Sequence, residues 1–575
     1  MKRFSVAGDR SAFFSWLCFL RSDSRRFKEF IEIDMFTKYR VKSEYVTLAA
    51  SALLCLLYNQ KFWTTFISAT GGWTMSGAAL IGFSFIIIVI LFNACLTLVS
   101  FRYMLKPVLV VLFLLTSIAA YFTDQYGATI DKSMMQNVLE TDVREASELF
   151  SYSLATTVIF LGVVPAAIVI ATKIDYGNWR EGLARKFLII SVSCMALALF
   201  VFAFYKTLAP VFRQHRELRY LLAPTNYIQA INGVRKMKAA RQGVVTPLGT
   251  DARKSSAWVQ NPRKTVTLII LGETARAANF SLNGYARQTN PMLGQRSDLF
   301  NFTNVQSCGT ATAVSVPCVF SSLGRENFTD EKAGSQQGLM AVLKYAQFSL
   351  LWRNNNSGCK GTCEGVEYED LSIPEPGSSF CGTDECFDER LLAGLEKRIA
   401  AADSDLVVVL HQKGSHGPAY WRRYPAKFAR FGPACQSTMF SECSTESIVS
   451  AYDNTVLYTD YVIDQAIRLL SEHREIDSSL IYFADHGESL GEKNLFLHGA
   501  PYVISPIEQR HVPLMVWMSD GFQKRINLDA ACLTARRDTA LSHDNIFHSI
   551  LGMLQIQTKV YNPTLDLFAG CTHAR

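Results

Sequence analysis

The long apolar runs of this 575-residue chain nearly all fall before about residue 210, and that division constrains the fold more than any other feature. Five segments, near 45–64, 76–99, 107–123, 154–172 and 187–207, approach the roughly 20 apolar residues that a helix needs to cross a bilayer. The first is the weakest, because Asn59, Gln60 and Lys61 interrupt it, although a lysine near a helix end can snorkel to the interface. The patch from Phe13 to Leu20 is too short to span and lacks a cleavable-signal pattern. A chain this long exceeds one ordinary core, so two or more domains are expected. The 49% hydrophobic content therefore averages a membrane part and a globular part.

Basic residues orient the spans. Ten precede residue 45: Lys2, Arg3, Arg10, Arg21, Arg25, Arg26, Lys28, Lys38, Arg40 and Lys42. The second connection carries Arg102 and Lys106, and the fourth carries Lys173, Arg180, Arg185 and Lys186. The first offers only Lys61, and the third sets Lys132 and Arg144 against six acids. By the positive-inside rule the N-terminus and the second and fourth connections are cytoplasmic, so five spans put the rest of the chain outside.

The cysteines test that direction independently. Cys18, Cys55, Cys95 and Cys194 lie in the tail or the spans. The other ten follow residue 300 as Cys308/Cys318, Cys359/Cys363, Cys381/Cys386, Cys435/Cys443 and the remaining Cys532/Cys571. Such spacing suits local disulfides in an oxidising compartment, the alternative being a four-cysteine zinc site from Cys359, Cys363, Cys381 and Cys386. The expected organisation is a cytoplasmic segment over 1–44, a five-helix membrane domain over 45–207, a linker over 208–262 and an exterior domain over 263–575. The linker is rich in Arg, Lys and Gln, and reads as lying at the headgroup layer or as a plain solvated connector. The net charge of +7 is modest and sits mostly near the membrane segments, with no basic, aromatic-studded face for nucleic acid. Neither a G-x-G-x-x-G nor a G-x-x-x-x-G-K-[ST] run occurs, so nucleotide cofactors have no support.

From residue 263, β-rich runs alternate with helical patterns, which predicts a mostly parallel sheet between helices. Strand Thr265–Leu271 leads into Gly272-Glu-Thr-Ala-Arg276, and strand Asp405–Leu410 leads into His411 and His416. Strand Ser479–Phe483 leads into Ala484 and Asp485-His-Gly-Glu-Ser-Leu-Gly-Glu492. Ligands in open α/β sheets bind beyond the carboxyl ends of the strands, where these residues can converge. Glu273, Asp485 and His486 would suit a zinc ion and leave a fourth position for a reacting oxygen.

These motifs, with Asn283-Gly-Tyr285, Ser307-Cys-Gly-Thr-Ala-Thr-Ala-Val-Ser-Val-Pro-Cys318, Trp352-Arg-Asn-Asn-Asn-Ser357 and His416-Gly-Pro-Ala-Tyr420, resemble the lipid A phosphoethanolamine transferases. That group, which includes polymyxin (colistin) resistance enzymes, belongs to the alkaline phosphatase/sulfatase superfamily. The resemblance runs from about residue 45 to near the C-terminus. It takes in Tyr103-Met-Leu-Lys-Pro107 and Met135-Gln-Asn-Val-Leu-Glu-Thr-Asp142, but not the first 40 residues.

The resemblance implies a fold and a set of roles. The fold is a membrane helix domain followed by a periplasmic α/β domain of alkaline phosphatase/sulfatase type. Thr310 is the implied nucleophile, and Glu273, Thr310, Asp485 and His486 are the implied zinc ligands. One Zn2+ is implied, with room for a second. His416 and His498 would stand near the transferred phosphate, to bind a second metal, hold phosphate oxygens or protonate a leaving group. Asn137, Thr141, Glu145, Ser357 and Lys360 would bind the ethanolamine phosphate, while His411 is expected to be structural. The implied reaction moves phosphoethanolamine from phosphatidylethanolamine to a lipid A phosphate through a covalent Thr310 ester. The enzyme would sit as a monomer among the lipids of the bacterial inner membrane, with its catalytic domain in the periplasm, and confer polymyxin resistance. Alternatives of the same chemistry would use a glucan or teichoic acid acceptor, or glycerol phosphate as the transferred group. A sulfatase would need a C/S-x-P-x-R motif, which is absent around Thr310. A non-catalytic scaffold would not need Glu273, Thr310, Asp485 and His486 together.

Overall fold

The computed structural model describes residues 40–572 apart from 71, 142, 216, 242–244, 376, 383 and 384. The N-terminal segment up to residue 39 thus lies outside the described residues. The chain forms two compact units. One comprises residues up to 58, 73–117 and 158–207, and the other comprises 59–72, 118–157 and 208–575.

The first unit is built from apolar helices. Among the described residues, four are long and apolar enough to cross a membrane: Gly77–Leu98, Leu105–Tyr126, Tyr152–Ala171 and Trp179–Tyr205. The segment expected first, 45–64, is broken in two: its apolar helix is Ser43–Leu57, 15 residues, shorter than the other four. The polar interruption at Asn59-Gln60-Lys61 ends it. Asn59 leaves the helix and bonds the Ala223 backbone from both sides, donating from Nδ2 at 2.9 Å and accepting at Oδ1 at 2.8 Å. A new helix then begins at Gln60.

Residues that the basic-charge pattern assigns to one face do meet at one end of this unit. Lys106 Nζ donates to Ile170 O and Lys186 Nζ to Ser100 O, each at 2.7 Å. Arg185 pairs with Glu44, and Arg40–Lys42 runs parallel to Lys173–Asp175.

The second unit is organised by an eight-stranded sheet. Its strands are β1 (Thr265–Gly272), β2 (Leu299–Gln306), β3 (Ser349–Asn354), β4 (Glu367–Asp370), β5 (Leu406–His411), β6 (Asp477–Ala484), β7 (His511–Met518) and β8 (Leu541–Ser542). The order across the sheet is β8-β2-β7-β6-β1-β5-β3-β4, and only β7 runs against its neighbours. Strands β1, β5 and β6 are buried along their whole length, as their unbroken apolar runs require when helices cover both faces.

Five disulfides tie the loops: Cys308–Cys318, Cys359–Cys363, Cys381–Cys386, Cys435–Cys443 and Cys532–Cys571. With Cys359 bonded to Cys363 and Cys381 to Cys386, the four-thiolate zinc alternative falls. The region read as a linker is part of this unit from residue 208, with a helix over Thr225–Arg241. The third connection, 118–157, belongs to it too. Lys132 pairs with Asp330 at 2.7 Å, and Glu148 pairs with Arg423 at 2.5 Å.

Candidate active site

Strand register assembles the site. In the parallel pair β1 and β6, Gly272 stands opposite Ala484, so the next residues, Glu273 and Asp485, emerge side by side at the carboxyl edge. Register places His411 of β5 beside Leu271 and Asn354 of β3 beside His411. The loops after β5 and β3 therefore leave the same edge. Segments separated by more than two hundred positions in the chain meet because hydrogen-bonded neighbours end together.

Glu273, Asp485 and His486 are fully buried, and each offers a ligand atom within 4.8 Å of the others. Around Glu273, the Thr274 hydroxyl donates to Oε1 at 2.7 Å, Thr312 to Oε1 at 2.9 Å and Asn356 Nδ2 to Oε2 at 2.7 Å. Asp485 Oδ1 accepts backbone N–H groups from Thr274 at 3.0 Å and His486 at 2.7 Å. Its Oδ2 is buried without a hydrogen-bond partner among the described residues and lies 3.3 Å from His486 Nε2. The His486 ring donates from Nδ1 to Gly487 O at 2.9 Å, which leaves the Nε2 lone pair facing both carboxylates.

Local backbone holds this arrangement. Thr274 adopts the left-handed region at φ 58°, at a cost of about 1–2 kcal/mol, and so donates to both carboxylates at once. Gly414 also has positive φ, and a Cβ there would stand 2.5 Å from Glu273 O, while one at Gly487 would meet Glu508 O at 1.9 Å.

The electrostatics suit a cation. Burial and the neighbouring Glu273 charge push the Asp485 carboxyl well above the usual range. Burial acts on Glu273 in the same direction, but His486, His416 and His498 outweigh it and hold that carboxyl low. Burial pulls the His486 imidazole down to about 3, so it is neutral and able to ligate. Two carboxylates this close share one proton unless a cation lies between them. The buried Asp485 oxygen and the imidazole nitrogen that faces it therefore fit a divalent ion with oxygen and nitrogen ligands.

Thr310 lies in the loop that follows β2. Its hydroxyl donates to Ala500 O at 2.6 Å and its carbonyl accepts from Gly499 N–H at 2.7 Å. It makes no hydrogen bond to the trio among the described residues; Thr312, two positions on, does so, and stands 3.2 Å from His486 Nε2. The loop is pinned by the Cys308–Cys318 disulfide and by His543, which accepts from Cys308 N–H while donating from Nε2 to Ala484 O at 3.0 Å.

The His498 ring is centred 4.5 Å from His486 and 5.3 Å from His416, so the three imidazoles cluster. Lys360 Nζ donates to Ser357 Oγ at 3.1 Å, and Ser357 is bonded to Asn356, which holds Glu273. Asn137 faces the same region, for a Cβ built on Gly499 would stand 3.8 Å from its Nδ2. Thr141 caps the helix Lys132–Glu140 and bonds the Asn137 carbonyl. The Glu145 side chain lies outside the described residues. His411 bonds Asn354 Oδ1 at 3.0 Å in the buried core beneath the site.

Sequence reasoning assigns no role to Thr312, Asn356 or Glu488. All three stand inside the motifs that carry the resemblance, but only the fold shows Thr312 and Asn356 on Glu273, and Glu488 Oε2 3.3 Å from His498 Nδ1.

Comparison with known proteins identifies the family. Residues 265–556 match the Sulfatase family model, and residues 88–239 match the model described as Phosphoethanolamine transferase EptA/EptB. The chain is 39% identical to Phosphoethanolamine transferase EptA of Escherichia coli K12 over 485 residues, covering 83% of this chain and 88% of that protein. It is 37% identical to Phosphatidylethanolamine transferase Mcr-1 of Escherichia coli, covering 83% and 89%. Its structure is similar to the integral membrane lipooligosaccharide phosphoethanolamine transferase A of Neisseria meningitidis, with a TM-score of 0.89 at 31% identity over 93% of this chain and 100% of that one. The α/β unit is thus of the alkaline phosphatase/sulfatase type expected, and the chain belongs to the EptA/Mcr family of membrane phosphoethanolamine transferases.

Proposed function

We propose that this protein transfers phosphoethanolamine from phosphatidylethanolamine to a phosphate of lipid A at the periplasmic face of the inner membrane, with Thr310 as nucleophile. The observation that carries the reading is the buried Glu273–Asp485–His486 trio beside the Thr310 loop and the His416–His498 pair. Glu273, Asp485 and His486 would hold a zinc ion, with Thr310 oxygen as the further ligand, and the ion supplies positive charge that eases loss of a hydroxyl proton.

The chain's own groups do the rest. Asn137, Thr141 and Glu145 receive the ethanolamine ammonium, and Ser357 and Lys360 receive phosphate oxygens. Thr310 Oγ1 forms a bond to phosphorus as the bond to diacylglycerol breaks, and the hydroxyl proton ends on the diacylglycerol oxygen. A lipid A phosphate oxygen then displaces Thr310 from phosphorus, and Thr310 regains a proton. His416 and His498 carry these protons. Capping an acceptor phosphate with an ammonium reduces its attraction for cationic peptides, so polymyxin resistance follows.

Mass spectrometry of lipid A from cells expressing the protein tests this. The wild type should add one phosphoethanolamine, and Thr310→Ala none. An unmodified wild-type profile, with another glycan or lipid labelled instead, would overturn the acceptor.

A further inference from the structure

Two arginines gather on one tyrosine against the loop that carries Thr310. The Arg325 guanidinium carbon is 3.1 Å from the centre of the Tyr502 ring, and that of Arg510 is 5.0 Å from the same ring. All three residues grip the approach to the nucleophile. Tyr502 Oη donates to Ser307 O at 3.0 Å, Ser307 N–H donates to Arg510 O at 2.7 Å, and Arg325 Nη1 donates to Cys308 O.

Neither guanidinium makes an ion pair among the described residues. Asp544, the nearby acid, accepts the backbone N–H of Arg325 at 2.8 Å. The Nε of Arg510 is buried without a hydrogen-bond partner among the described residues. Elsewhere in this unit, well-buried arginines meet carboxylates: Arg276 with Glu492, Arg353 with Glu369, Arg390 with Glu375, Arg423 with Glu148 and Arg525 with Asp477. Two like charges gathered on one ring repel each other and disfavour burial; Asp544 offsets part of the charge on Arg325 but forms no ion pair with either guanidinium among the described residues, so the arrangement gains from a further anion. Stacking on Tyr502 fixes the planes of the guanidinium groups, as bidentate capture of a phosphate requires.

The pair also lies away from two of the headgroup residues, Ser357 and Lys360. Ser307 follows β2 and Arg510 precedes β7, whereas Ser357 and Lys360 follow β3. In the sheet, β1 and β6, which carry the metal trio, come between them.

We infer that Arg325 and Arg510, stacked on Tyr502, form a binding site for a phosphomonoester group of the acceptor, across the metal trio from Ser357 and Lys360. This rests on the transferase reading above. Recognition would be by charge and planar hydrogen bonding, so it calls for a phosphorylated glycolipid and disfavours an uncharged glycan.

The test uses full-length enzyme in detergent micelles with phosphatidylethanolamine as donor and lipid A as acceptor. Replacing both Arg325→Gln and Arg510→Gln should raise the acceptor KM about tenfold or more. The donor KM should stay within about twofold of wild type, and the acceptor KM should change by a larger factor than kcat. The paired Arg→Lys changes should recover part of the loss, since they keep charge without the fork. Wild-type acceptor KM should climb with salt, and that of the double variant should not. An unchanged acceptor KM, or an equal fall in donor cleavage, would overturn the inference and leave the arginines as loop supports. Calorimetry with glucosamine 1-phosphate separates this from the functional reading. If the wild type leaves lipid A unmodified yet binds the sugar phosphate through these arginines, the reading fails and the site stands. If binding ignores the substitutions, the site fails.

Discussion

The fold holds the candidate metal trio and the residues assigned to the donor headgroup by different means. Glu273, Asp485 and His486 leave adjacent parallel strands, are fully buried and meet donors from Thr274, Thr312 and Asn356. Their geometry follows from strand register and core packing. Asn137 and Thr141 ride instead on the short helix Lys132–Glu140, and Lys360 sits in a small loop at φ 53°. Tethers hold these elements: Lys132 to Asp330, Arg423 to Glu148 and to the His416 carbonyl, and Cys359 to Cys363. On the proposed assignments the chemistry would belong to the sheet edge, while headgroup recognition would depend on ties between loops. Changes at the sheet edge should therefore cost more activity than changes in the loops.

The severest expected loss is at the nucleophile, where Thr310→Ala should lower transfer by about three orders of magnitude or more, measured as phosphoethanolamine appearing on lipid A. Chelation should be nearly as severe and reversible. Stripping the ion should lower the melting temperature of the α/β unit by about 5–10 °C, through loss of a ligand bound only by the folded state, and zinc should restore both stability and activity. Next comes Asn356→Ala. It removes the donor to Glu273 Oε2 and should weaken metal affinity about 10- to 100-fold, read by zinc titration of the apo protein.

The headgroup side should respond less. Lys360→Ala should raise the donor KM about tenfold and leave zinc content unchanged. A thousandfold loss there would erase the contrast, by making the loops as decisive as the sheet edge. The smallest effect is expected from Cys359→Ser with Cys363→Ser. Opening so short a loop should remove about 2 kcal/mol of stability, seen in denaturant melts, and change activity by about twofold.

Much of this architecture is legible in the amino-acid sequence itself. Hydropathy runs mark a membrane part because a bilayer demands a fixed length of apolar helix. Cysteine spacing matches the four local bonds, and Cys532–Cys571 is the pair that remains. The runs at Thr265, Asp405 and Ser479 mark strands, since unbroken β-branched and aliphatic stretches suit a sheet covered on both faces. Harder to read is the first apolar segment. Its polar break becomes a helix end only because Asn59 finds the Ala223 backbone, a partner distant in sequence. The region after residue 208 and the 118–157 connection read as linker and loop, but packing joins both to the catalytic unit.

What this sequence determined alone was local: which stretches are apolar, which strands end in acids and histidines, and which cysteines are close enough to pair. Tertiary structure decided which strand ends are neighbours, that Thr312 and Asn356 support Glu273, and that Arg325 and Arg510 meet on one tyrosine. The physical reason is that period and propensity act over a few residues. Strand order, register and buried hydrogen-bond partners are set by contacts between segments hundreds of positions apart, which no short window of sequence contains.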